Sequence, residues 1–129
     1  MTGIARLSLT ALDCPDALLL SAFYAALTGW AEDAAERGTD ADGNVSWVQL
    51  VSPTGATLAF QRVARYRAPV WPEGSVPQQL HLDFDVPDLD GGEREVLAIG
   101  ARKADVQPGE SFRVFLDPAG HPFCLVLAR

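Results

Sequence analysis

Ser46-Trp47-Val48-Gln49-Leu50-Val51-Ser52-Pro53-Thr54-Gly55 returns as Ser111-Phe112-Arg113-Val114-Phe115-Leu116-Asp117-Pro118-Ala119-Gly120, at an offset of 65 residues. In both copies an alternating stretch runs into a Pro-x-Gly turn. A second echo lies upstream: Arg6-Leu7-Ser8-Leu9-Thr10-Ala11-Leu12-Asp13 is answered by His81-Leu82-Asp83-Phe84-Asp85-Val86-Pro87-Asp88, at an offset of 75 residues. The chain is thus one small unit written twice, and two such copies can build an internal two-fold with a cavity between them.

Period-two and helical patterning fill in each copy. Residues 4–12 read as a strand with Leu7, Leu9 and Ala11 on the apolar face and Arg6, Ser8 and Thr10 on the other. Asp13 or Asp16, with Pro15 between them, starts a helix. Its expected stripe is Leu18, Leu19, Ala22, Phe23, Ala26 and Leu27, and Gly29 fits the residue just past its end. A second strand begins near Trp30, a third covers 46–52 and a fourth 57–63. Residues 64–78 hold Pro69, Pro72 and Pro77 around Trp71, which predicts a non-helical connection.

The second copy opens at Gln79. Leu80, Leu82, Phe84 and Val86 form its apolar face, and His81, Asp83 and Asp85 its polar face. Asp90 and Glu93 have capping-box spacing. Val96, Leu97 and Ile99 are the expected helix stripe, and Gly100 the stop. Strands follow near 101–107, 111–116 and 122–128. Each copy reads β-α-β-β-β, an α+β chain of one domain over 1–129, with copies at about 4–63 and 79–129.

Composition narrows the function. The chain has 129 residues, 48% of them apolar, enough for one core. Net charge is −7, and basic residues are scattered apart from Arg62, Arg65 and Arg67. A nucleic-acid binder needs a basic stripe to displace counterions, so no nucleic-acid partner is expected. No apolar run spans a bilayer, and no signal peptide is read at the N-terminus; a cytoplasmic location without membrane association follows as an expectation. Cys14 and Cys124 lack metal-type spacing and read as free thiols. No nucleophile elbow, phosphate loop or dinucleotide fingerprint is present.

The duplication, the Asp13-Cys14-Pro15-Asp16 helix opening, Ala22-Phe23-Tyr24 with Leu27-Thr28-Gly29-Trp30, and Asp117-Pro118-Ala119-Gly120 resemble the glyoxalase, bleomycin-resistance and ring-cleaving dioxygenase superfamily, the vicinal oxygen chelate proteins. Phe60-Gln61, Trp71-Pro72, the run Gln78 to Asp83 and the run Gly120 to Leu125 resemble its glyoxalase-like domain branch. The resemblance implies a curved eight-stranded mixed sheet forming a cup, with helices outside, a ligand in the cup, and frequent homodimers.

Enzymes of the superfamily hold a divalent metal with His and Glu at four equivalent positions. Carried over, these positions are Arg6, Ala59 or Gln61, His81 and Cys124. Arg cannot bind a metal, Gln is a poor ligand, and His81 with Cys124 is a two-donor remnant. No metal or other cofactor is therefore expected, a partial divalent site being the alternative.

The expected function is small-molecule binding in the cup. Its ligand-contacting residues are His81, Gln61, Arg6, Asp83, Trp71 and Cys124. Each also has a plain structural reading. His81 could be a sheet histidine held by Asp83 or Asp85, Arg6 a member of an ion pair across the two-fold, and Trp71 a plug over the core edge. Cys124 reads as a buried inert thiol, His121 as a turn residue at the rim, and Gln61 and Gln79 as surface amides. Two alternatives stand beside this reading. One is a lyase, isomerase or dioxygenase-type enzyme using His81 as catalytic base or in a partial metal site. The other is a module whose sheet serves as a dimer surface.

Overall fold

A computed structural model describes residues 3–128. They fall into two compact units meeting between Tyr66 and Arg67. No described helix is long and apolar enough to cross a membrane.

The first unit contains β1 (Thr10–Cys14), α1 (Ala17–Thr28), β2 (Ala31–Glu32), a 3-10 turn (Ala34–Glu36), β3 (Gly38–Thr39), β4 (Val45–Val51) and β5 (Thr57–Arg62). Its sheet runs β1-β5-β4-β2, and β3 also pairs with β4. The β1–β5 pair is parallel and the others are antiparallel.

Asp16 fixes where α1 begins. Its backbone is extended, and its carboxylate accepts the Leu19 N–H at 3.1 Å, filling one of the donors that a helix start leaves open. Gly29 closes the helix at φ +74°, where a side chain would be strained, and returns its N–H to Ala25. The buried positions are Ala17, Leu20, Ser21, Phe23 and Tyr24, whereas Leu18 and Leu19 are exposed. The expected stripe was thus rotated. A helix this uniformly apolar offers more than one stripe at helical spacing. The small Ala17 and Ser21 are the ones that face inward, where they let the helix approach the sheet closely. Tyr24 then stacks on Phe60 at 5.5 Å, both fully buried.

The first strand also differs from its expected range. It starts at Thr10, and Ile4 and Leu7 upstream are exposed. Pairing of Leu12 with Phe60 sets the phase, so Leu12 and Cys14 enter the core while Ala11 faces away. Residues 7, 9 and 11 alternate correctly but belong to the other face.

The second unit contains β6 (Leu82–Val86), α2 (Leu89–Ala98), β7 (Arg102–Lys103), β8 (Phe112–Leu116) and β9 (Pro122–Leu127), with sheet order β6-β9-β8-β7. This order repeats that of the first unit: the first strand lies parallel to the last, and the remaining strands continue antiparallel. Hydrogen bonding therefore gives a five-stranded and a four-stranded sheet, where one eight-stranded sheet was expected.

Asp88 caps α2, accepting from the Asp90 and Gly91 N–H groups at 3.2 and 2.9 Å. The expected Asp90–Glu93 box is not used. Glu93 instead pairs with Lys103 at 3.0 Å and Arg113 at 3.2 Å, and Arg113 also reaches Asp90 at 2.8 Å. These bridges tie the helix to β7 and β8. Of the expected stripe only Val96 is buried, Leu97 and Ile99 being exposed. Gly92 explains the close packing: a Cβ there would sit 3.1 Å from Leu125 Cδ1. Phe123 packs between Phe115, at 5.7 Å, and Phe84, at 6.1 Å.

Two stability measurements follow. Phe60→Ala, which empties the ring stack on Tyr24, should cost about 3–5 kcal/mol in denaturant unfolding. Asp88→Ala, which strips two helix-end donors of their acceptor, should cost about 1 kcal/mol.

Candidate functional site

Alternation across β6 and β9 decides which side chains are available for chemistry. Phe123 and Leu125 point to α2 and are fully buried. Their neighbour Cys124 points to the opposite face and pairs in register with Asp83. His81, just ahead of β6, has its Nε2 3.3 Å from the Asp83 Oδ1. The donor atoms of His81, Asp83 and Cys124 all lie within 4.8 Å of one another. His81 and Asp83 are exposed and Cys124 is buried.

Beside them lies a cavity of about 240 Å³, bounded by Trp71, Gln78, His81, Phe112, Val114 and Cys124, with Pro108 and Pro122 at its margins. Trp71 and Phe112 also pack on a small buried cluster of Ala104, Val114 and Cys124. Trp71 therefore packs on this cluster and lines the cavity at once. Phe112 can lie where it does because residue 109 is glycine: a Cβ there would collide with its ring.

Gln107, not singled out from sequence, holds this wall in place. Its amide nitrogen donates to the carbonyls of Ala104 and Val114 at 2.9 and 2.8 Å, and its oxygen accepts the Val114 N–H at 2.9 Å. Where the two-residue β7 ends, a side chain continues the ladder of β8. The only sequence signal was a polar residue among loop residues, and that does not reveal such a clamp. Gln78 was likewise passed over. Its Oε1 is buried and has no hydrogen-bond partner among the described residues. A buried acceptor left unpaired costs about 1–3 kcal/mol.

The turn preceding β9 is built by Asp117. This buried carboxylate accepts from Ala119 and His121 N–H groups at 2.9 and 3.0 Å, and Gly120 takes φ +91°. His121 is a half-buried turn residue. Of the other expected contacts, Arg6 is exposed ahead of β1, and Gln61 is exposed on β5; both belong to the first unit. Gln79 and Asp85 are exposed as well.

The observed helix caps revise the correspondence between copies. Asp16 and Asp88 are 72 residues apart, so the counterpart of His81 is Leu9, not Arg6. The turn glycines Gly55 and Gly120, both at positive φ, are 65 apart, so the counterpart of Cys124 is Ala59, which is fully buried. Ala11 pairs with Ala59 as Asp83 pairs with Cys124. Where the second copy has histidine, aspartate and cysteine, the first has leucine, alanine and alanine. These positions do not fit the four-ligand divalent ion implied by the resemblance, because one copy supplies none of its donors.

Burial, and then the negative charge of the facing Asp83 carboxylate, which also accepts a hydrogen bond from the thiol, push Cys124 up from 9.0 to about 11. At neutral pH it is a protonated donor rather than a nucleophile. Between these two values the folded chain keeps a proton that the unfolded chain has lost. The contribution is complete below about pH 9 and is lost as pH rises towards 11. The stability difference between the parent and Cys124→Ala should therefore shrink across that window in denaturant titrations. A difference constant with pH would contradict the assignment.

Residues 10–126 match the glyoxalase-like domain family. No curated protein matches the chain. Among solved structures, it is similar to a glyoxalase/bleomycin resistance protein/dioxygenase family enzyme from Burkholderia phytofirmans PsJN, with 21% identity, TM-score 0.68, and 94% of this chain and 97% of that one covered. It is also similar to a glyoxalase/dioxygenase from Nostoc punctiforme, at 21% identity and TM-score 0.68 over 96% and 91% of the two chains. The genomically encoded fosfomycin resistance protein of Listeria monocytogenes gives 16% identity and TM-score 0.68 over 98% and 94%. At these identities the likeness is one of fold, whereas the family match spans nearly the whole sequence: the chain belongs to the glyoxalase-like domain family.

Proposed function

We propose that this protein binds a small aromatic molecule bearing an O–H or N–H donor, in the cavity beside Trp71. The observation that carries the reading is the largely apolar cavity walled by Trp71 and Phe112, which is also lined by Gln78, a residue whose buried Oε1 has no hydrogen-bond partner among the described residues. Ligand sites combine apolar surface with a few placed polar groups, and an unpaired buried acceptor asks for a donor. Trp71 and Phe112 supply flat surfaces for a ring. His81 offers a polar group at the margin, and Asp83 holds both His81 and the Cys124 thiol. An apolar cavity of roughly 150 Å³ accommodates benzene, so about 240 Å³ has room for one substituted ring. Gln61 and Arg6, also expected to contact ligand, are not needed for this binding mode.

A screen of phenols, anilines and other small aromatics for thermal stabilisation tests the proposal, since a ligand that binds only the folded state raises the melting temperature. Trp71→Ala should abolish the shift. Gln78→Leu should act in opposite directions: the free protein keeps or gains stability as an unpaired acceptor disappears, while affinity falls by about 0.5–1.5 kcal/mol. If no compound shifts the melting temperature, or if Gln78→Leu leaves affinity unchanged, the proposal fails.

The 3.3 Å contact between His81 and Asp83 favours a second reading, a lyase, isomerase or dioxygenase-type enzyme with His81 as general base. Mass spectrometry separates the two: an enzyme returns a bound probe chemically altered, and His81→Ala returns it unchanged.

A further inference from the structure

We infer that the ligand of the cavity beside Trp71 is a one-ring aromatic amine, bound as its ammonium cation. This rests on the reading of that cavity as a ligand site and goes further, because the groups around it select a charge as well as a shape.

The wall offers acceptors and ring faces but no fixed positive charge. None of the described residues lining the cavity is lysine or arginine. Strand alternation accounts for part of this. On β8, Phe112 and Val114 line the cavity, so Arg113 between them projects to the other face, where it pairs with Asp90 and Glu93 of α2. Lys103 joins the same helix through Glu93. Arg102 borders a separate hollow, with Asp117 and Pro118.

Negative charge, by contrast, lies on the cavity side. Asp83 pairs in register with Cys124, a lining residue. Its charge is felt there: after burial, it is what raises the Cys124 thiol. His81 is the one lining residue able to gain a positive charge, and its Nε2 sits 3.3 Å from Asp83 Oδ1, so that charge is offset where it arises. The next polar residue along β6 on the same face is a second acid, the exposed Asp85.

An ammonium group matches this setting in three ways. It carries three N–H donors where a hydroxyl has one O–H, so one can serve Gln78 Oε1, which is buried without a partner among the described residues, while the others stay at the margin. Its charge is attracted by Asp83. It also gains from the ring faces of Trp71 and Phe112, tryptophan being the strongest such partner for a cation. A carboxylate, phosphate or phenolate has no donor for Gln78 and meets a carboxylate instead of a cation.

The experiment titrates the full chain at neutral pH with benzylamine and with benzyl alcohol by calorimetry. The two probes share a ring and a carbon arm, both carry a donor, and only the amine is charged. Benzylamine is expected to bind about 10-fold tighter. In Asp83→Asn the ratio of the two affinities should fall to about 2-fold or less. Asp85→Asn removes the same charge from the same strand, opposite Val126 instead of Cys124, and should keep most of the ratio. Circular dichroism shows whether each variant is folded, and the parent ratio tests the inference even if one is not. Benzyl alcohol binding as tightly as benzylamine, or a ratio unchanged in folded Asp83→Asn, overturns the inference and leaves the cavity reading standing. So does a ratio lost equally in Asp85→Asn, which assigns the preference to net charge. If neither probe binds, the cavity reading fails and this inference with it.

Discussion

The parallel pairing of β6 with β9 is the constraint on which the site depends. Side chains alternate along both strands, so one register places Asp83 opposite Cys124 and turns Phe123 and Leu125 towards α2. A slip of one residue would reverse every side chain of one strand. The phenyl ring of Phe123, fully buried against Phe84 and Phe115, would then leave the core, and the thiol would enter it. The apolar packing on one side of the sheet thus fixes the polar group on the other. The helix cap at Asp88, the close approach at Gly92 and the Arg113 bridges to Asp90 and Glu93 hold α2 over that apolar side.

The two copies share a topology and differ in what they present. Parallel first and last strands, a capped helix between them, and a positive-φ glycine before the last strand recur in each. Packing demands conserve this frame because every part of it serves a core. On the face turned away from the helix, where Ala59 and Cys124 are also buried, the copies diverge into Leu9, Ala11 and Ala59 in one and His81, Asp83 and Cys124 in the other. Duplication has left one copy without metal-binding side chains at these positions and the other with a mixed donor set.

Much of this was legible in the sequence. The 65-residue echo correctly located β4 and β8 with their Pro-x-Gly turns, and the runs after those turns read as β5 and β9, because alternating runs joined by such turns have few other ways to fold. The polar face of β6 was also readable, as its aspartates alternate with Leu82, Phe84 and Val86. Two things were not. The first was rotation and phase: α1 is apolar almost all round, and residues 7, 9 and 11 mimic a buried strand face, so only pairing with β5 could choose. Matching Asp13 to Asp88, in place of Asp16, then carried the error into the metal positions and pointed to Arg6. The second was long-range hydrogen bonding. Nothing local reveals that Gln107 clamps β8, that Glu93 reaches Lys103 and Arg113 instead of a helix cap, or that Gln78 ends with a buried unpaired oxygen.

The central claim is that the hollow beside Trp71 receives a ligand. The chain has three tryptophans, so its amide–nitrogen correlation spectrum carries three indole signals, of which Trp71 can be assigned by Trp71→Phe. Titration of the protein with a phenol selected by thermal shift should move the Trp71 indole signal and the Gln78 side-chain amide, with a common saturation curve. A phenol that saturates the protein while both signals stay where they were would contradict the account.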